Sequence, residues 1–227
     1  MYQKLFKYLK RAIIGFFAIT VLWVLFYRFI NPPVTYLMIS RAFERKFDGK
    51  SWKIDKEWRD FDEISLNLKK AIIAAEDARF LEHSGFDFKA MEHAYKKNKD
   101  GKKIRGGSTI TQQMVKNVFL WPGRSYIRKG FEAYFTVLVE LFWSKKRILE
   151  VYLNVIEMGD GIYGAEAATQ KYYKKSCKSL LKSEAALLAA VLPNPRRWTP
   201  ANPTAYIYRR QAIIRRNMNA LNNLTFD

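Results

Sequence analysis

The chain has 227 residues, of which 49% are hydrophobic and 15% aromatic, so disorder is excluded and one folded domain with appendages is expected. The formal net charge of +19 predicts an anionic partner, which can be nucleic acid, an acidic membrane surface or a phosphate-bearing substrate. A single cysteine excludes an intramolecular disulfide framework. Two histidines cannot assemble a zinc site of the usual type, so any metal would be a hard ion held by oxygen.

The N-terminal region predicts a membrane anchor. Residues 1–11 carry four basic and no acidic side chains, and residues 12–27 carry no charge. We interpret 1–11 as a cytoplasmic tail and 12–30 as a transmembrane helix. A cleaved signal peptide is the alternative, although no small-x-small cleavage site follows the apolar run. The positive-inside rule then places the rest of the chain on the outer side, which excludes nucleic acid and leaves lipid phosphate or a phosphate-bearing, lipid-linked substrate.

The remaining sequence predicts a mainly α fold. Residues 31–62 mix extended and charged stretches, and we interpret them as a connector and membrane-proximal segment with room for one short helix. Residues 63–227 show apolar residues at helical spacing between capping residues and glycines, with no strand alternation and no repeat. Helices are predicted at about 64–76, from 87, and at 106–117, 126–142, 144–156 and 183–192, with a short one after a glycine-rich turn within 159–173 and the last from 202 onwards.

The stretch 71–87 holds the first candidate for catalysis. A helix of small and apolar residues runs directly into two adjacent carboxylates, Glu76 and Asp77, with His83 soon after. Apolar surroundings raise the pKa of a carboxylate toward neutrality, as a general base requires, so Glu76 is the candidate base. The alternative is a pair of solvated acids at a helix end, and these residues alone leave both interpretations open.

Three further segments each allow a structural and a functional interpretation. The basic, glycine-punctuated run 96–107 is either a solvated mobile loop or an element that grips substrate. The helix that follows it opens after two glycines, so its first N–H groups either bind an anion or belong to an ordinary capped helix. Glu132 follows Arg128 and Lys129 at helical spacing, either as a surface ion pair worth about 0.2–0.5 kcal/mol or as a carboxylate among cations that hold phosphate.

Five motifs follow one another in the outer part of the chain. They are EDxxFxxHxGxD from Glu76, GGSTITQQ with a VKN tail from Gly106, RKxxE from Arg128, KxxILExYLN around Glu150, and an apolar helix from Glu184 leading into Pro193 and Pro195. Together they resemble the peptidoglycan glycosyltransferases of family 51, found at the N-terminus of class A penicillin-binding proteins and alone in monofunctional transglycosylases. The resemblance covers about residues 32–220. The chain ends without room for a transpeptidase domain, so the monofunctional form is expected.

The resemblance implies a lysozyme-like, two-lobed glycosyltransferase domain that polymerises lipid II. In that reaction the 4-hydroxyl of the acceptor GlcNAc attacks the anomeric carbon of the donor and displaces undecaprenyl pyrophosphate with inversion. Glu76 would be the base, and Glu132 a second essential carboxylate that orients cations or a divalent ion. The cations expected to hold the pyrophosphate are Lys116, Arg124, Arg128 and Lys129. Other residues expected to bind substrate are Asp77, His83, Ser108, Thr109, Gln112, Gln113 and Asn154.

The resemblance also implies cofactors, partners and a location. A divalent cation such as magnesium or manganese is expected, with Asp77 either helping to hold it or only capping a helix, and no organic cofactor. The expected partners are lipid II, the growing glycan-undecaprenyl pyrophosphate, the membrane, and cell-wall synthesis or division proteins. The expected place is the bacterial inner membrane, with the catalytic domain on the periplasmic side. A membrane-bound muramidase and a non-catalytic scaffold that binds anionic lipid are the alternative functions.

Overall fold

The computed structural model describes residues 2–99, 107–123, 125–221 and 224–226, and this part of the chain is mainly helical. Its helices are α1 (Tyr2–Phe29), α2 (Tyr36–Phe47), α3 (Leu66–Glu76), α4 (Phe88–Lys99), α5 (Ile110–Phe119), α6 (Tyr126–Phe142), α7 (Lys145–Val155), α8 (Ala165–Tyr173), α9 (Lys182–Val191) and α10 (Ala205–Ala220). The mainly α fold class is confirmed, and each helix predicted from the sequence is present.

A small sheet accompanies the helices. It contains β1 (Asp55–Lys56), β2 (Glu157–Gly159) and β3 (Ile162–Tyr163) in the order β1-β3-β2. β1 runs parallel to β3, whereas β2 and β3 form an antiparallel pair. The sequence analysis missed these strands because two or three residues are too few to show alternation.

Two groups of helices lie on either side of the region where the first two motifs meet. α3 packs against α9 and α10, while α5 packs against α6 and α7. One buried apolar core runs through both groups and includes Ile72, Met114 and Leu149. The C-terminus of α3 meets the N-terminus of α5 through a hydrogen bond from the main-chain N–H of Ile110 to Asp77. The last residue of α3 therefore faces the second motif.

Short polar residues set the starts of the helices. Thr109 caps α5 and Ser144 caps α7, each accepting a main-chain N–H in its first turn. The last helix begins slightly later than predicted, because Thr204 rather than Asn202 is its cap. The capping residues thus fix where the motif residues stand on their helices.

The N-terminal helix α1 is long and apolar enough to cross a membrane. Its second half also packs against the domain. The hydroxyls of Thr20 and Tyr134 lie 2.7 Å apart, and the indole N–H of Trp143 donates to the carbonyl of Val24 at 2.9 Å. Arg147 donates to main-chain carbonyls at the end of α1. The second half of α1 therefore packs against α6 and the start of α7.

The segment 31–62 is bound to the domain along its length. The main-chain N–H of Asp55 donates to the carbonyl of Gly161 in the domain at 2.9 Å. Further along, the main-chain N–H of Phe61 donates to Glu150 at 2.8 Å. The segment also contains α2, a regular helix of 12 residues. We therefore describe it as part of the folded body.

Candidate active site

Glu76 ends α3 and is held by a two-step relay of hydrogen bonds. The side-chain N–H of Gln113 on α5 donates to Glu76 Oε2 at 2.9 Å. The carbonyl oxygen of the same amide accepts the hydroxyl of Tyr152 on α7 at 3.1 Å. Because a tyrosine hydroxyl bound to the amide oxygen leaves the amide nitrogen facing Glu76, this relay fixes the direction of the amide. One carboxylate is thus positioned by both α5 and α7.

The surroundings of Glu76 favour its protonated form. Burial raises its pKa above the ordinary value, and the hydrogen bond from Gln113 and the positive charges of Arg210 and Lys116 offset only part of the rise. Burial also raises the pKa of Tyr152 well above its usual value, with a further contribution from the negative charge of Glu76. Tyr152 therefore stays a neutral donor, and Glu76 is a carboxylate suited to accept a proton near neutral pH.

Glu132 lies in a cluster of cations on α6. Its side chain is buried; Arg128 Nη1 donates to one oxygen at 2.9 Å, and the ammonium of Lys129 contacts the other oxygen. A buried carboxylate with two cationic partners is not a solvated surface pair, so the functional interpretation of the third motif fits the structure better. Glu132 thereby fixes the direction in which both cations point.

Lys116 connects the two carboxylates electrostatically. Burial lowers the pKa of its ammonium, attraction to Glu132 and Glu76 opposes that effect, and repulsion from Arg128 and Lys129 reinforces it. Glu76 and Glu132, far apart in sequence, are therefore both close enough to act on one lysine. Lys116 therefore lies within electrostatic reach of the candidate base and of the paired cations Arg128 and Lys129.

Two cavities open beside this arrangement. The first, of about 410 Å³, is lined by Glu76 together with Arg79, Ser108 and Thr109. The second, of about 460 Å³, is lined by Lys116 together with neighbouring parts of α2, β2 and the Pro193–Pro195 turn. The candidate base and the central cation thus line different cavities, each of a volume typical of small-ligand sites.

Comparison with known proteins identifies the family. The family model described as Transglycosylase matches residues 45–219. A protein of Caulobacter vibrioides is 52% identical over 92% of this chain and 90% of its own length. Proteins of Bdellovibrio bacteriovorus (51% identical, 94% of this chain and 85% of theirs) and Pseudomonas syringae pv. tomato (48%, 97% and 94%) are similar; all three are named biosynthetic peptidoglycan transglycosylase. The chain belongs to the transglycosylase family. It is therefore an enzyme of the glycosyltransferase class, as its five motifs predicted.

In this transglycosylase the first motif forms a clasp between helices. Asp77 is buried; its Oδ1 lies 2.9 Å from His83 Nε2, and its Oδ2 accepts the main-chain N–H of Ile110 at 3.0 Å. The hydroxyl of Thr109 donates to the carbonyl of Gly85 at 2.7 Å. Asp77 and His83, both predicted to bind substrate, have partners within the protein that hold the loop after α3 against α5.

The predicted saccharide-binding residues divide into two groups. Ser108 and Thr109 line the first cavity, and Gln113 contacts Glu76. Gln112 is buried, and its side chain accepts the main-chain N–H of Thr109 at 3.0 Å as part of the α5 cap. Asn154 is 0% exposed, and its amide bonds both main-chain groups of Arg59 at 2.8 Å. The positions of Gln112 and Asn154 therefore fit a structural role rather than direct substrate contact.

Two sequence predictions fall outside the described residues. One is Arg124, expected among the pyrophosphate-binding cations. The other is most of the basic run 96–107, of which 100–106 lie outside the description. The cation cluster described above consists of Lys116, Arg128 and Lys129.

The donor set around Asp77 does not fit a divalent cation. Asp77, His83 and Asp87 offer ligand atoms within 4.8 Å of one another. However, both oxygens of Asp77 have the partners given above, and Arg79 Nε donates to Asp87 at 3.0 Å. Burial would raise the pKa of Asp87, but the hydrogen bonds from Arg79 and from the N–H of Ala90 hold it below its usual value. A metal here would have to displace the guanidinium of Arg79, so no step of the proposed reaction depends on a metal ion.

Two residues near Glu76 were not among the sequence predictions. Tyr152 is the tyrosine of the KxxILExYLN motif but was given no role, and Arg210 was not singled out. Arg210 Nε donates to the carbonyl of Ala190 on α9 at 3.1 Å, and its charge acts on Glu76. Neither spacing nor composition could single out Arg210, because its nearness to Glu76 depends on the packing of α10 against α3.

Proposed function

We propose that this transglycosylase polymerises lipid II into peptidoglycan glycan strands. The observation that carries the proposal is that Glu76, a carboxylate whose pKa is raised by burial, and the cations held by Glu132 all act electrostatically on Lys116. The curated relatives named biosynthetic peptidoglycan transglycosylase support the same polymer. An undecaprenyl-pyrophosphate donor fits a site whose other described carboxylates, Asp77, Asp87 and Glu132, are all paired, because pyrophosphate leaves as an anion and needs no proton.

The proposed reaction is a single inverting displacement. The acceptor sugar lies in the first cavity with its 4-hydroxyl toward Glu76, which takes the proton as that oxygen bonds to the anomeric carbon of the donor. The bond from this carbon to the pyrophosphate oxygen breaks on the opposite face. Lys116, Arg128 and Lys129 stabilise the negative charge that develops on the leaving pyrophosphate. Glu132 keeps Arg128 and Lys129 oriented and is not itself a nucleophile.

The place of the reaction follows from α1. A single apolar helix near the N-terminus suggests single-pass membrane anchoring. We propose that the basic residues before the apolar stretch keep the N-terminus in the cytoplasm, so that the domain works on the periplasmic side of the inner membrane. Both substrates carry long lipids, which leave a bilayer only at a cost of about 0.8 kcal/mol per methylene, so anchoring keeps enzyme and substrate on one surface.

The test is incubation of the purified full chain with labelled lipid II, and separately with preformed labelled glycan. We expect new glycan polymer from lipid II and no shortening of preformed glycan. A muramidase would instead shorten the glycan, and a scaffold would do neither.

Glu76→Gln should lower kcat by about 10²–10⁴-fold, the usual contribution of a general base. Glu82→Gln is the matched control, because Glu82 is an exposed carboxylate close by in the same motif. A folded Glu76→Gln enzyme that polymerises at the parental rate would refute the assignment of the base.

A further inference from the structure

Helix α2 is apolar on two opposite faces. One face carries Met38 and Ala42, which are fully buried against the domain. The other face carries Tyr36, Ile39, Phe43 and Phe47, which are 58%, 41%, 51% and 87% exposed. At 100° per residue these four side chains form one stripe along the outer side of the helix. A surface helix normally places polar residues on its outer face, so this second apolar face needs an explanation.

The outer stripe continues beyond the helix. The ring of Trp52 lies 5.0 Å from that of Phe43 in an edge-to-face contact and is itself half exposed. Exposed aromatic side chains of this kind are typical of the interface between lipid and water, where an amphipathic ring meets the headgroups. We call Tyr36, Ile39, Phe43, Phe47 and Trp52 the aromatic stripe.

The aromatic stripe belongs to the part of the chain that leaves the membrane helix. α2 starts at Tyr36, only a few residues after the end of α1 at Phe29. Arg147 holds the carbonyl of Ile30, and Lys56 holds those of Pro32 and Pro33, so this link cannot swing away from the domain. The start of the stripe at Tyr36 is thus fixed within about 25 Å of the end of α1, because seven residues cannot span more.

A second path connects α2 with α1. Phe16 of α1 lies 6.1 Å from Phe131 of α6, and Phe131 lies 5.9 Å from Trp121. Trp121 lines the same cavity as Leu37 of α2. Trp121 therefore connects α6, through Phe131, with the wall of the second cavity to which α2 contributes.

We propose that α2 is an interfacial helix whose aromatic stripe inserts into the outer surface of the anionic bilayer that α1 anchors. The occupant is lipid, because the stripe is continuous with the membrane helix and because two exposed lysines, Lys46 and Lys50, flank Phe47 in the chain, where anionic headgroups attract cations. α2 then brings the wall of the second cavity to which it contributes Leu37 and Arg41 to the lipid surface. The inference rests on the proposed membrane anchoring by α1 and adds a second, independent point of contact.

The test uses a nitroxide label on single introduced cysteines in the full chain. Cys177 is buried, and burial raises the pKa of its thiol, so it does not compete for the reagent. The variants are Phe43→Cys and Phe47→Cys in the stripe, with Ile19→Cys on α1 as the lipid control. Ile213→Cys is the aqueous control, because Ile213 is an exposed apolar residue of α10, 48% accessible. Each protein is placed in vesicles that contain phosphatidylglycerol.

The measured quantity is the ratio of label collisions with oxygen, which concentrates in lipid, to collisions with a water-soluble nickel chelate. We expect this ratio at Phe43 and Phe47 to exceed the ratio at Ile213 several-fold and to approach that at Ile19. Ratios equal to that at Ile213, with Ile19 in lipid, overturn the interfacial helix and leave anchoring intact. Spin–spin broadening at Phe47 that grows with the protein-to-lipid ratio would assign the face to a second copy and also overturn it. Water exposure at Ile19 would overturn the anchoring itself.

Discussion

The role of Asp77 can be decided by its effect on stability. Asp77→Ala removes a buried carboxylate whose oxygens lie 2.9 Å from His83 Nε2 and 3.0 Å from the N–H of Ile110. A hydrogen bond to a charged group is worth about 1.5–3 kcal/mol, so losing both should lower the free energy of unfolding by roughly 3–6 kcal/mol. Domains are stable by about 5–15 kcal/mol in total, so this variant should be near its limit of folding.

Asp77→Asn gives a graded version of the same change. The amide oxygen can still accept the N–H of Ile110, while the charge-assisted contact with His83 is lost, so we expect a decrease of about 1.5–3 kcal/mol. The measurement is urea unfolding of the full chain in detergent, monitored by circular dichroism. All variants are fitted with one m-value, the slope of the free energy of unfolding against urea concentration. Glu82→Gln, an exposed change in the same loop, should stay within about 0.5 kcal/mol of the parent.

One pattern of results would refute the clasp. If Asp77→Ala unfolds within about 0.5 kcal/mol of the parent but has lost activity, Asp77 acts on the reaction and not on the fold. Magnesium gives a second readout, because an ion that binds only the native state stabilises it. If magnesium raises the urea midpoint of the parent and not that of Asp77→Ala, the metal assignment made from the sequence would be restored.

Four further predictions concern the base, an arginine that acts on it and two glycines. Burial raises the pKa of Glu76, so the folded chain keeps this proton to higher pH than the unfolded chain, and stability is lost as pH rises through the two pKa values. Glu76→Gln should therefore have the same free energy of unfolding in urea as the parent at low pH and a higher one at neutral pH. A difference between variant and parent that is equal at the two pH values would contradict this. Arg210→Gln removes a positive charge that acts on Glu76, so the acidic limb of kcat/KM should move to higher pH, while exposed Arg209→Gln should leave it unchanged. Gly130→Ala should raise stability by about 0.5–1 kcal/mol in thermal unfolding, because Gly130 is inside α6 with nothing within 4 Å of an added Cβ. Gly85→Ala should lower stability, because its φ is +84° and its Cβ would lie 2.6 Å from a side chain of α6.

The sequence was most informative where a local pattern carries its own explanation. The capping threonine before α5, the apolar spacing along α6 and the serine before α7 each predicted an element that the structure contains. The same is true of the anchor, whose apolar stretch contains no charge. These patterns depend on neighbours three or four residues away, so they can be read without knowing the fold.

The division of labour between neighbouring polar residues could not be predicted. Gln112 and Gln113 are adjacent and chemically identical, yet one caps α5 and the other holds Glu76. Asn154 shares a face of α7 with Glu150, and only the fold shows that the returning segment at Arg59 uses its amide. Such roles depend on which distant segment packs against each side chain, and one sequence without its fold does not contain that information.

The contacts between α1 and α6 also explain why the cation cluster suits a lipid-linked substrate. Phe131 follows Arg128 by one turn of α6 and touches Phe16 of α1, well before the end of that helix. With α1 in the membrane, the start of α6 lies beside the bilayer, where an unpaired charge costs several kcal/mol. Arg128 is buried against Glu132 instead of facing lipid. A charged cluster held beside a membrane helix in this way is favourable only if it faces a polar cleft, and a pyrophosphate attached to a membrane lipid is a ligand that reaches such a cleft without leaving the bilayer.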